Sequence, residues 1–133
     1  MDMENVNMLD GITLAYVGDC VMELYVRKLL VCAGISGSRD LNYIAQKTVN
    51  AAAQADAYHR IENMLTDEES DIFKRGRNCG HLNLPKHAKM SDYRIATGLE
   101  ALFGYLSLTG NEERLAELLR AAVVLPTQNE QKE

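Results

Sequence analysis

Proline is scarce in this chain of 133 residues, occurring only at Pro85 and Pro126. The long segments between breakers are rich in Ala, Leu, Met, Glu, Gln and Arg, which favour helix. Cysteine is nearly as sparse. Cys20, Cys32 and Cys79 are odd in number and match no metal-ligand or redox spacing, which argues against a disulfide framework and for reduced thiols in a cytosolic chain. No uncharged stretch approaches the ~20 apolar residues of a membrane span, and the acidic start, MDMENVNMLDG, lacks the basic flank of a signal peptide. The expectation is a cytoplasmic protein with no membrane partner. Also missing are a glycine-rich phosphate loop, a nucleophile elbow, a Cys/His pairing and any internal repeat.

What is present is an ordinary globular composition, 47% hydrophobic and 25% charged in 14.8 kDa. A chain of this size forms one domain and needs no disulfide or structural metal to hold it. Its expected extent is residues 1–125, followed by a polar tail, 126–133, of sequence PTQNEQKE. The fold class expected is all-α. From about Ile12 to Ala33 apolar residues recur at three and four, and Gly34 stands at the C-terminal stop. This helix is close to apolar all round, which predicts a central position. A second helical region runs from about Arg39 to Met64, with Ser38 as its N-cap, a break near Asn50, and an apolar face of Leu41, Ile44, Ala45, Val49, Ala52 and Ala55. Thr66-Asp67-Glu68-Glu69 reads as a capping box opening a third helix to about Arg77. Ser91 is read as the cap of a fourth helix through Leu108, and Asn111 as the cap of a fifth through Val124. Between the third and fourth helices, residues 76–91 lose all periodicity, and loops of that length in compact domains are usually functional or mobile.

The formal charge is −5, from 14 basic and 19 acidic side chains, which by itself argues weakly against a nucleic-acid partner. Its distribution says otherwise. From Lys74 to Arg94 six basic residues (Lys74, Arg75, Arg77, Lys86, Lys89 and Arg94) face one acid, Asp92, so this segment is +5 and the remainder −10. Steering depends on the local field over about a Debye length. A solvated charge run is the plainer reading of the same residues.

Two acids break the helix pattern. Asp19 follows Gly18 in the middle of the most apolar helix, where Gly costs ~1 kcal/mol relative to Ala and Asp is a poor former. Glu100 stands among small residues, Ala96, Thr97, Gly98, Ala101 and Gly104, whose spacing lets another helix approach closely. Two such acids on packed helices could converge on one site, and a hard divalent cation would relieve their repulsion, since Mg²⁺ is commonly held by one or two carboxylates with water and phosphate oxygens completing its shell. The alternative is that Asp19 bonds a hydroxyl or an arginine and Glu100 points to solvent. Glu23 and Arg27 are spaced for a surface ion pair. His59 reads as a surface or half-buried helix residue, while His81 and His87 lie in the basic loop, where phosphate contact is open.

LAYVGDCVMELYVR, Leu14 to Arg27, resembles the signature helix of the ribonuclease III catalytic domain, in which a Gly-Asp pair presents a metal-binding aspartate. FKRGRN, Phe73 to Asn78, with PKHAKMSDYRIATGLEALFGYL, Pro85 to Leu106, is more closely similar to Mini-ribonuclease III, the short bacterial branch without a separate double-stranded RNA-binding domain. The resemblance covers about residues 9 to 120. It implies that residues 1–125 are the catalytic domain of a dimeric, Mg²⁺-dependent endonuclease that cuts double-stranded RNA and matures the ends of large-subunit (23S) ribosomal RNA. It places Asp19 and Glu100 as catalytic metal ligands. Lys74, Arg75, Arg77 and Asn78, with Lys86 and Arg94, are then expected to face RNA. The sequence departs from full-length ribonuclease III at Ala15 and Thr97, where acids are expected, so the number of ions and the general base stay open, as does a ribosomal-protein helper. Competing readings are a non-catalytic structured-RNA-binding module of the same fold and a helical protein-interaction domain.

Overall fold

The computed structural model describes residues 2–79 and 89–125, and among these every regular element is helical. Lys86, His81, His87 and the 126–133 tail lie outside the described residues. The elements in chain order are α1 (Met3–Asn7), α2 (Gly11–Cys32), α3 (Ser38–Val49), α4 (Ala51–Ile61), α5 (Asp67–Arg77), α6 (Met90–Leu108) and α7 (Glu112–Ala122), with a 3₁₀ turn at Glu62–Met64 after α4.

Local chemistry explains most of the boundaries. The Asp10 carboxylate accepts from the Thr13 amide at 2.8 Å and starts α2. Asn50 accepts from the Ala53 amide at 2.8 Å and breaks the second helical region into α3 and α4 where expected. The Thr66–Glu69 capping box is complete: Glu69 N–H donates to Thr66 Oγ1 at 3.1 Å, and Thr66 N–H donates to Glu69 Oε1 at 2.9 Å. Two expected caps are corrected, and a third stands in position without capping through its side chain. Gly37, not Ser38, holds the N-cap of α3, because the chain enters there at φ +90°, a conformation glycine takes without steric cost. Lys89 precedes α6 and Ser91 lies inside its first turn; no side-chain cap marks this start. Asn111 does occupy the N-cap of α7, but its Nδ2 donates to Thr109 Oγ1 at 2.8 Å instead of its side chain capping the helix.

The centre belongs to α6 rather than α2. From Ala96 to Leu106 every residue of α6 but Glu100 is buried, and α2, α4, α5 and α7 pack around it. α2 buries Leu14, Ala15, Gly18, Met22, Val26 and Leu30, and turns Ile12, Tyr16, Leu24 and Val31 outward. Its apolar composition all round therefore comes from two faces, one in the core and one exposed. On α4 the inner face is Gln54, Ala55, Ala57 and Ile61, while Ala52, expected inside, is exposed.

The α2–α6 crossing is unusually close. A Cβ on Gly18 would overlap the carbonyl of Glu100, and one on Gly104 would overlap the carbonyl of Leu14. The helix-propensity cost of Gly18 is thus offset by backbone-to-backbone packing that a side chain would prevent. α5 docks on the same helix with Gly76 against Gly98 and Ala101.

Candidate active site

Because Gly18 rests on the Glu100 backbone, the residue after it, Asp19, is brought beside the Glu100 side chain. Asp19 is exposed and Glu100 half-buried. Burial and then the neighbouring Asp19 carboxylate push the Glu100 carboxyl up to about 8 from an ordinary 4.5; the Gln54 amide acts in the opposite sense. Burial and a like charge both disfavour ionisation. Glu100 is therefore not simply directed to solvent: it is half-buried, with Asp19 as a neighbour. Among the described residues no third histidine, cysteine or acid joins them. Glu23, one turn on from Asp19, pairs with Arg27 at 3.3 Å on the surface.

The donor set suits a hard cation. Two carboxylates side by side, one of them destabilised as an anion by its surroundings, are relieved by a divalent ion, and Mg²⁺ takes one or two protein carboxylates while keeping water elsewhere. Among the described residues the buried Gln54 Oε1 has no hydrogen-bond partner.

The basic residues are distributed more unevenly than their spacing suggests. Lys74, Arg75, Asn78 and Arg94 are exposed and Arg77 is half-buried. The Arg75 guanidinium donates through one nitrogen to the carbonyls of Asn7 and Leu9, at 3.0 and 3.2 Å, tying the end of α1 to α5. Arg77 lies over the Phe73 ring at 5.8 Å and donates to Asn78 Oδ1 at 3.1 Å. Arg77, Asn78 and Arg94, with Met90, Ser91 and Ile95, line a groove of about 600 Å³ between the C-terminal end of α5 and the start of α6. Arg94 lies six residues before Glu100, about 9 Å along α6 at the usual rise per residue. His59 stands on the surface of α4, 3.1 Å from Glu62.

A profile described as Ribonuclease III domain matches residues 12–111. A Mini-ribonuclease 3 of Symbiobacterium thermophilum is 43% identical over 92% of this chain and 94% of its own length. The Mini-ribonuclease 3 of Enterococcus faecalis is also 43% identical, over 88% of this chain and 90% of its own. The chain belongs to the Mini-ribonuclease 3 branch of the ribonuclease III domain family. It is a ribonuclease III-type endoribonuclease. A crystal structure of a protein from Fusobacterium nucleatum has the same fold, with a TM-score of 0.79 and 31% identity over 87% of this chain and 93% of that one.

Ala15 and Thr97 stand where the resemblance to full-length ribonuclease III led to the expectation of acids. Ala15 is buried against the core, and Thr97 is 5% exposed with its hydroxyl donating to the Tyr93 carbonyl at 2.9 Å. Where acids were expected, one position is apolar and the other is a hydroxyl already bonded within its own helix. Sequence reasoning missed Gln54. It lies on the buried stripe of α4, three residues before Ala57 and seven before Ile61; a polar residue in that register was the available signal.

Proposed function

We propose that this endoribonuclease cuts double-stranded RNA as a Mg²⁺-dependent homodimer in the cytoplasm, maturing the ends of 23S ribosomal RNA. The observation that carries the reading is the convergence of Asp19 and Glu100 across the glycine-mediated α2–α6 crossing. These two side chains would hold the cation and act as the catalytic residues. The chemistry a divalent cation supplies when bound is activation of water and neutralisation of charge on the departing oxygen of a phosphodiester. Residues 1–125 are the catalytic domain in this reading, and 126–133 a polar tail.

The chain's own side chains supply the rest. Arg77, Asn78 and Arg94 line the groove between α5 and α6 and would hold backbone phosphates, joined by Lys74, Arg75 and Lys86. Duplex RNA is read mostly by shape, phosphates and 2′-hydroxyls across its minor groove, which asks for no base-reading helix. Cutting both strands requires two sites. The outward face of α2 supports a second copy: Ile12, Tyr16, Leu24 and Val31 are 49%, 82%, 53% and 63% exposed, an apolar stripe that a two-fold partner would cover.

The test is incubation with duplex RNA, single-stranded RNA and duplex DNA, each with Mg²⁺ and then with chelator. The expected result is cleavage of duplex RNA alone, and only with Mg²⁺. Binding of structured RNA without cleavage would favour the non-catalytic module; neither would favour a protein-interaction domain. A ribosomal RNA precursor, with and without the ribosomal proteins that bind near its ends, tests the substrate and the need for a helper. Sedimentation at micromolar concentration that shows a 14.8 kDa species alone would rule out the dimer.

A further inference from the structure

Phe73 is buried on α5, and two other helices fix its ring. From α4 the Tyr58 ring stacks on it almost in parallel, with 3.8 Å between centroids and 4° between planes. From α6 Gly98 approaches so closely that a Cβ there would come within 2.6 and 2.7 Å of two ring carbons. One turn further along α5, the Arg77 guanidinium stands over the same ring, 5.8 Å from its centroid. Aromatic pairs ordinarily prefer an offset or edge-to-face arrangement, because a face-to-face stack brings two negative faces together. A cation over the ring is attracted by that same electron density and relieves the repulsion. Core filling accounts for a buried Phe73, but not for a tyrosine stacked on it and a guanidinium above it.

The donors of Arg77 point to a ligand. Arg114 gives its donors to Glu69, Glu117 and the Met64 carbonyl, and Arg75 donates to the carbonyls of Asn7 and Leu9. Arg77 donates through Nε to Asn78 Oδ1, and among the described residues no carboxylate pairs with it. Engaging Nε fixes the guanidinium plane and leaves the two terminal nitrogens, whose fork matches the oxygens of a phosphate. Arg77 lines the groove between α5 and α6, where such a phosphate would lie.

We propose that Tyr58 and Phe73 are positioning residues for RNA binding, their stacked rings forming a platform that holds the Arg77 guanidinium ready for a backbone phosphate in the α5–α6 groove. The proposal rests on the reading of that groove as the RNA face. Neither ring touches RNA; both act through Arg77. A long side chain held in its bound conformation loses less freedom when its ligand arrives, so the platform raises affinity without a new contact. An aromatic support also keeps the full positive charge available to the phosphate, which a carboxylate partner would neutralise.

The experiment titrates a duplex RNA with the full chain in chelator, so that binding is read without cleavage, at a series of salt concentrations and alongside thermal unfolding. Phe73→Leu removes the ring under Arg77 and is expected to weaken binding about fivefold, with kcat in Mg²⁺ within about twofold of wild type. Tyr58→Leu, at a half-buried position, should weaken it about twofold, and Tyr58→Phe, which keeps the stack, should bind like the wild type. Arg77→Ala should bind more weakly with a salt slope lower by roughly 0.9, and adding Phe73→Leu to it should cost nothing further. An equal loss from Phe73→Leu in both backgrounds would mean that the ring only holds the fold, and would overturn the proposal. Should Phe73→Leu not fold, Tyr58→Leu and the wild type decide. In the wild type the Arg77 Nε–H resonance should lie upfield under the ring current and move when RNA is added; an ordinary position, or no movement while RNA binds, refutes the platform. If Arg77→Ala binds RNA like the wild type, the groove is not the RNA face and the platform falls with it. If Arg77→Ala binds weakly while both ring variants bind normally, the groove stands and the ring stack alone is misread.

Discussion

Glu69 and Glu100 are both glutamates drawn into the fold, and their acidities move in opposite directions. Glu69, 6% exposed at the start of α5, accepts two parallel hydrogen bonds from Arg114 on α7, at 2.9 and 2.8 Å, and a third from the Thr66 amide. Arg114 above all, with the Thr66 bonds, holds its carboxyl below the usual carboxylate range. Arg114 also donates to the Met64 carbonyl at 2.7 Å and so fastens the turn after α4 to α7. Glu100 sits at mid-helix, and among the described residues no basic side chain is a cause of its shifted acidity. Burial and Asp19 push it up to about 8. The fold thus satisfies one carboxylate entirely from within and leaves the other short of positive charge. The first is architecture, and the second is the acid to which the proposed cation site assigns its role.

The sharpest way to break the contrast is to remove the acid whose neighbour is unsatisfied. Asp19→Asn should cut duplex-RNA cleavage by about 10³-fold, because a cation's share of transition-state stabilisation is several kcal/mol and each 1.36 kcal/mol is tenfold. Its affinity for RNA should be nearly unchanged. Wild-type cleavage rates in Mg²⁺ would sink the assignment. On the other side, Arg114→Ala leaves Glu69 buried without its partner and should lower unfolding stability by about 3 kcal/mol, measured by chemical denaturation. Once allowance is made for the folded fraction, cleavage should be intact; a loss of turnover in fully folded protein would show that the clamp is not purely structural.

The two glutamates also give stability opposite dependence on pH. Glu69, lowered in the folded chain, contributes stability that is present above its unfolded pKa and lost as pH falls through its folded one. Glu100, raised from 4.5 to about 8, contributes stability that is fully present below about 4.5 and lost as pH rises through about 8. Without divalent cation, Tm should therefore decline between about pH 5 and 8, and Glu100→Gln should flatten that decline. A Tm that climbs steadily across this window with Glu100 intact would contradict the picture. The smallest effect belongs to the groove. Arg77→Ala or Arg94→Ala should weaken duplex RNA binding across sequences and reduce the salt slope by roughly 0.9 for each phosphate no longer neutralised; an unchanged slope would move the RNA face elsewhere.

Much of the helical layout was legible. Thr66 and Glu69 are three residues apart and announce their capping box, Asn50 announces the break, and the register of α2 follows from three- and four-residue spacing. Ser38 and Ser91 misled because the competing signals were a glycine that could take positive φ and a helix start without a side-chain cap. At the site, Asp19 and Glu100 were visible as acids placed against helix propensity, and the small residues around Glu100 announced a close crossing. The burial of Gln54 is signalled only by its register with Ala57 and Ile61, since a glutamine among alanines otherwise reads as solvent-facing. Arg75 was legible as a cation but not as the residue that fastens the end of α1.

The amino-acid sequence alone determined that the chain is helical, the capping box at Thr66 and the break at Asn50, and which residues were chemically out of place, because those depend on neighbours within one helical turn. Only the tertiary structure decided which apolar face of α2 is buried, that α6 rather than α2 is the central helix, and which carboxylate meets which partner. Glu69 and Arg114 are 45 residues apart, and Asp19 and Glu100 meet only because two glycines let two backbones touch. Pairings of that kind depend on the desolvation and charge created when helices pack, and no short stretch of chain contains them.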